Sequence, residues 1–261
     1  MPWNPAQYLE FADARLRPAL DLLARIRLDA PRTIVDLGCG TGNVTRLLAE
    51  RWPHARIVGV DSSPAMLREA RAATGDDPRC SFVTADLAEW QPDKSVDLVY
   101  SNAALHWLPN HAALFARVAA MVAPGGVLAV QMPDNFRAPS HTLIADIARS
   151  ERWRAKVGGI VREPPVAAPA DYFAWLSARM AKVDIWRTEY LQVLEARKDG
   201  EHPVAAWTKG TWLVPFLEAL GEPNRAEFLR DYMDRLAVAY PPRDDGRTLF
   251  SFRRLFIVAN R

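Results

Sequence analysis

Apolar residues in the first half of the chain come in short runs bounded by turn residues, and amphipathic stretches separate one run from the next. Residues 33–37, 57–60, 80–84, 96–101 and 127–132 are such runs. Their length and bounding turns predict five strands. Between them, 44–51, 65–73 and 112–122 place apolar residues at helical spacing, and Ser63-Pro64 supplies an N-terminal signal for the second of these helices. Ahead of the first strand, Tyr8, Leu9, Phe11, Leu16, Leu20, Leu22, Leu23 and Ile26 recur at roughly helical intervals. That predicts one or two helices over 6–26, interrupted at Pro18. Regular alternation of strand and helix predicts an α/β, doubly wound sheet with helices on both faces and right-handed crossovers.

After Met132 the alternation stops. Residues 135–182 read as helical with a proline-rich interruption at 163–169, 183–193 as a strand, and 203–220 and 225–240 as helices. A last strand at 249–259 follows the Asp244-Asp245-Gly246 turn, as Pro124-Gly125-Gly126 marks a turn before the strand at 127. The expected organisation is a Rossmann-like core over 1–134 with N-terminal helices. Residues 135–261 then supply an inserted helical cap together with the last two core strands, 183–193 and 249–259.

The chemistry concentrates where the first strand ends. Asp36-Leu37-Gly38-Cys39-Gly40-Thr41-Gly42 carries glycines at alternate positions, and the second strand closes on Asp61. A strand, a glycine-rich turn, a helix and a strand ending in a carboxylate form a nucleotide-binding half. Dinucleotide sites use G-x-G-x-x-G, in which bare N–H groups meet a pyrophosphate. Here the spacing is G-x-G-x-G, and Asp36 would repel a phosphate but attract a cation. S-adenosylmethionine matches: it has no phosphate, and it carries a sulfonium and an ammonium beside an adenosine. Asp61 falls where a carboxylate accepts from ribose hydroxyls. Asp86, after the third strand, is placed to accept from the adenine amino group, with the Leu87 N–H beside it and Met66 packed near the ring. The purely structural alternative makes Asp36 a helix N-cap and Asp61 the cap of the helix beginning at Ser62.

Composition narrows the field. With 261 residues, 49% of them hydrophobic, the chain has enough apolar surface for a full core, and no run reaches the ~18–20 apolar residues that span a bilayer. Met1-Pro2-Trp3-Asn4-Pro5 lacks a basic segment followed by an apolar stretch, so a cytoplasmic location is expected. Cys39 and Cys80 are too few for a disulfide framework, and Cys39 reads as a small side chain fitting a tight turn. His54, His111, His141 and His202 show no metal-ligand spacing, so no metal is expected. A net charge of +2 argues against a nucleic-acid partner. Neither a membrane nor an obligate protein partner is expected.

Taken together, Val35 to Gly42, Val60-Asp61-Ser62-Ser63, Thr84-Ala85-Asp86, Asp97 to Asn102 and the Pro-Gly-Gly before strand five resemble the class I S-adenosylmethionine-dependent methyltransferases over nearly the whole chain. The resemblance implies a seven-stranded Rossmann-like sheet whose last strand is antiparallel, and it adds Gly38, Gly40, Ser62 and Asn102 to the cofactor contacts. Trp3-Asn4-Pro5 with Tyr8-Leu9, Asn102 to Pro109, Val130 to Asn135, Val183 to Thr188 and Arg254 to Ala259 resemble the branch that methyl-esterifies small polycarboxylates such as trans-aconitate. That likeness implies Tyr8, His106, Trp107, Arg187 and Arg254 as acceptor contacts. The segment 149–169 departs from the pattern, and with it the exact acceptor is open.

A carboxylic acid of pKa about 4 is ionised at neutral pH, so its methylation needs no general base. The expected machinery is alignment, exclusion of water and neutralisation of remaining carboxylates, with no catalytic triad and no catalytic side chain. Arg17, Arg137, Arg187 and Arg254 are the guanidinium candidates, since each offers a bidentate fork. Competing readings are a methyltransferase for another small acceptor and a non-catalytic module that binds S-adenosylmethionine or S-adenosylhomocysteine. A nicotinamide oxidoreductase is disfavoured by the missing dinucleotide spacing, and a nucleic-acid methylase by the absence of an Asn/Asp-Pro-Pro-Tyr motif.

Overall fold

The computed structural model describes residues 12–75 and 77–261. Helix α1 (Ala12–Arg25) leads into β1 (Thr33–Leu37), α2 (Asn43–Arg51), β2 (Arg56–Asp61), α3 (Pro64–Thr74), β3 (Cys80–Thr84) and β4 (Val96–Asn102). A 3₁₀ turn over Leu105–Trp107 precedes α4 (His111–Ala120) and β5 (Val122–Pro133). Then come α5 (Pro139–Arg149), the short α6 (Arg154–Val157), α7 (Pro169–Ser177), β6 (Lys182–Leu194), α8 (Pro203–Lys209), α9 (Val214–Ala219), α10 (Asn224–Ala239) and β7 (Thr248–Asn260). The seven strands form one sheet in the order β3-β2-β1-β4-β5-β7-β6. The β1–β2, β1–β4, β2–β3 and β4–β5 pairs are parallel, whereas β7 runs antiparallel to β5.

Two expectations are corrected. Pro18 does not interrupt the first helix but lies inside α1, where it removes one backbone donor without ending the helix. Pro124-Gly125-Gly126 is not a turn ahead of β5 but part of it. There the register with β4 shifts between Val96 and Leu98, Gly125 takes φ 78°, and a Cβ on Gly126 would lie 2.7 Å from the Asp97 carbonyl oxygen. The glycines form an irregularity within a long strand, a conformation that side-chained residues would resist.

The chain divides into two compact units. Among the described residues, one holds 15–75, 77–133, 165–188 and 254–261, and the other 12–14, 134–164 and 189–253. In the first, Val35, Leu37, Val99, Val130, Met132, Leu255 and Ile257 point to one face of the sheet and pack on Leu114, Phe115 and Val118 of α4 and on Tyr172 and Leu176 of α7. His111 ties these two helices, its Nδ1 lying 2.6 Å from the Tyr172 hydroxyl. The second unit is built on aromatic contacts. Trp153 meets Phe228 edge-on and donates its indole N–H to Asp231 at 2.7 Å, and the Tyr232 hydroxyl donates to the Ser140 carbonyl at 2.7 Å.

Candidate active site

The three glycines after β1 all take positive φ, 75° at Gly38, 53° at Gly40 and 77° at Gly42, for different reasons. A Cβ at Gly38 would lie 2.1 Å from the Ala104 Cβ, and one at Gly42 would lie 2.9 Å from the Ala70 backbone on α3. Both hold the turn tightly against neighbouring elements. At Gly40 no atom comes within 4 Å of an added Cβ. The turn is pinned by the Gly38 and Cys39 N–H groups, which donate to the Val60 carbonyl at 2.8 and 3.1 Å. Cys39 is buried, and burial with the nearby acids pushes its thiol well above its ordinary value, so it fills space and carries no thiolate.

Neither acid is a helix cap. The N-cap of α2 is Gly42, and that of α3 is Ser63, whose side chain accepts from the Met66 N–H. Asp36 is 1% exposed on β1 and accepts from the Thr45 hydroxyl at 2.7 Å. Burial pushes its carboxyl up to about 7; the Thr45 bond works against this and the Asp61 charge adds to it. Asp61 accepts from the Gly40 N–H at 3.0 Å and from the Ser63 N–H at 2.9 Å, one bond to each oxygen, so further acceptor capacity remains. Ser62 is exposed and Met66 buried on either side of the start of α3.

Asp86 is exposed after β3, and it accepts from the Ala88 N–H at 2.8 Å. Arg117 of α4 donates to the Leu87 carbonyl at 2.7 Å and to the Trp90 carbonyl at 3.0 Å, fixing this turn from behind. At the end of β4 the Asn102 Oδ1 is buried and has no hydrogen-bond partner among the described residues. The next residue, Ala103, takes φ 53°, a conformation costly for a side-chained residue. It leads into the 3₁₀ turn, where His106 is buried and Trp107 is 46% exposed, with ring centroids 4.6 Å apart.

Strand parity separates the two arginines. Arg254 is 5% exposed and, through register with Pro133, shares a sheet face with Gln131 and Phe256; its Nη1 donates to the Gln131 Oε1 at 3.4 Å. Trp186 stacks on Phe256 at 4.9 Å, so the even positions of β6 lie on that face. Arg187 is exposed and alternates onto the other face with Val183 and Ile185, which pack on the core. Arg187 and Arg254 therefore do not close one clamp, because a one-residue step in a strand reverses the side chain. Arg17 is exposed on α1, and Tyr8 and Phe11 lie outside the described residues.

The periodic reading overlooked Thr45, Gln131, Arg117 and the strained Ala103. Thr45 and Gln131 are polar residues at positions the hydrophobic pattern assigns to the interior. That interior placement was the available signal. Among the described residues no group of three or more His, Cys, Asp or Glu could hold a metal ion, and no helix is long and apolar enough to cross a membrane.

A family model for methyltransferase domains matches residues 34–126, which carry the glycine turn, both acids and β4. Among solved structures, the YcgJ protein from Bacillus subtilis superposes with a TM-score of 0.60 at 14% identity, covering 94% of this chain and 98% of that one, a likeness of fold. Fold and matched site together define a Rossmann-like S-adenosylmethionine-dependent methyltransferase. Trans-aconitate 2-methyltransferase from Methylobacterium radiotolerans is 47% identical over 99% of this chain and 98% of its own length. The enzyme of that name from Methylobacterium nodulans is 48% identical over 99% and 98%. The chain belongs to the trans-aconitate 2-methyltransferase family.

Proposed function

We propose that the protein transfers a methyl group from S-adenosylmethionine to one carboxylate of trans-aconitate, giving a monomethyl ester in the cytoplasm. The observation that carries the acceptor is identity of nearly one half over 99% of the chain to relatives bearing that name. The residues fit the cofactor. Asp36 offers a desolvated carboxylate to a cation, Asp61 has acceptor capacity left for a ribose diol, and the open space at Gly40 admits a ligand against the backbone. Gly38 shapes that turn, Ser62 and Met66 flank it, Asp86 and the Leu87 N–H read the adenine edge, and the Asn102 Oδ1 is a buried acceptor awaiting a donor.

When bound, S-adenosylmethionine supplies a sulfonium methyl that an ionised carboxylate oxygen displaces in line. The chain's part is binding and orientation. Asp36 and Asp61 hold the donor end, His106 and Trp107 wall the acceptor end beyond β4, and Arg254 neutralises acceptor charge as only a buried guanidinium does. No side chain needs to take a proton, since the nucleophile is already ionised at neutral pH.

Incubation with methyl-labelled cofactor and trans-aconitate should give a base-labile labelled monoester. Absence of that ester at high enzyme concentration, while S-adenosylhomocysteine still binds, overturns the acceptor and leaves the cofactor.

A further inference from the structure

At the carboxyl edge of the sheet lies an amide whose orientation is set by its neighbour and whose donor meets no partner among the described residues. Gln131 is fully buried on β5, in register with Asn102 of β4 on one side and Phe256 of β7 on the other. Its Oε1 accepts from the Arg254 guanidinium. Guanidinium offers donors alone, so the carbonyl must face Arg254 and the amino group must point away. That Nε2 is shielded from solvent and has no hydrogen-bond partner among the described residues, and it is not bonded to the Asn102 Oδ1 beside it. Buried amides are almost always bonded, so an unused donor next to a cation marks a place for an anionic oxygen.

We infer that Gln131 is a specificity-determining residue whose Nε2, together with Arg254, receives a carboxylate of the acceptor that is not the one methylated. This rests on the acceptor being a polycarboxylate, as proposed above. A carboxylate held by a guanidinium and an amide has its lone pairs engaged and its charge neutralised, which makes it a poor nucleophile. The reacting carboxylate is a second one on the same molecule. Selectivity for acceptors with two or more carboxylates is thereby written into one strand pair, and a monocarboxylate has nothing to place against Gln131.

The test titrates trans-aconitate into the full chain saturated with S-adenosylhomocysteine, for the wild type, Gln131→Glu and Gln131→Met. Glu sets an anion against the held carboxylate, and the acceptor Kd should rise at least thirtyfold. Met removes the donor at similar volume, and the Kd should rise about five- to tenfold. The S-adenosylhomocysteine Kd should stay within twofold of wild type in both, which also reports that each variant is folded; if Glu does not fold, Met carries the test. Acceptor binding unchanged in a folded variant, or a cofactor Kd that moves as far as the acceptor Kd, overturns the inference. A wild type that binds trans-aconitate without esterifying it removes the proposed reaction and leaves this site. Ester formation with unaltered acceptor binding in the variants does the reverse, and a wild type that binds no trans-aconitate removes both.

Discussion

Gly38 and Ala104 sit so close that a methyl group on the glycine would lie 2.1 Å from the alanine Cβ. The turn after β1 and the turn after β4 are thus locked together by the absence of one carbon. Gly38→Ala combines this clash with a left-handed backbone and should destabilise the protein by about 3 kcal/mol or more. Gly40→Ala meets open space and should cost only about 1 kcal/mol of stability, from its φ. Yet Gly40→Ala should weaken S-adenosylhomocysteine binding by at least tenfold. Chemical denaturation and calorimetric titration on the same two variants check both halves.

Asp36 titrates near 7 in the free protein, so a cationic ligand that needs its charged form must displace a proton below that pH. Cofactor affinity should fall about tenfold per pH unit below 7 and level off above it. Calorimetry at pH 6 in two buffers of different ionisation enthalpy should show uptake of close to one proton by the buffer. Asp36→Asn should abolish the release.

Two buried groups impose opposite pH dependences on folding. Asp36 has its pKa raised from 3.8 to about 7, so its stability contribution is present below 3.8 and is lost as pH rises through 7, roughly 4 kcal/mol in all. Burial lowers His141 from 6.5 to about 3, so its contribution is present above 6.5 and is lost as pH falls through 3. Between pH 4 and 6.5 the two slopes offset each other. Burial lowers His111 and His202 as well, so toward pH 6.5 the wild type should gain stability with rising pH, and denaturation midpoints should rise more steeply for Asp36→Asn and less steeply for His141→Gln than for the wild type.

Arginine placement gives a paired prediction. Arg254→Lys keeps a charge but loses the fork, and it should raise the trans-aconitate KM at least tenfold with cofactor Kd unchanged. Arg187→Ala, altering an exposed residue on the opposite sheet face, should change that KM less than twofold. Steady-state kinetics at saturating cofactor decides between them.

The strands of the core and the glycine turn after β1 were legible because their signals are local: apolar runs, alternate glycines, acids at strand ends. β1 and β3 begin and end where the apolar pattern places them. Pro124-Gly125-Gly126 misled, since glycines in a strand irregularity and glycines in a turn look alike in sequence. The surroundings of Arg254 were less legible. Whether Arg187 and Arg254 face one another depends on the pleat of two strands far apart in the chain, and Gln131 gains its meaning only from Arg254 across the β5–β7 ladder.

Both β6 and β7 begin in one compact unit and finish in the other. The unit holding 134–164 and 189–253 is therefore not a bead on a linker that one cut would release, because each of those strands contributes residues to both units. Exchanging that unit's two long segments, 134–164 and 189–253, between relatives calls for a graft in two separate pieces. The second needs its seams placed within β-strands, where register must be preserved residue for residue.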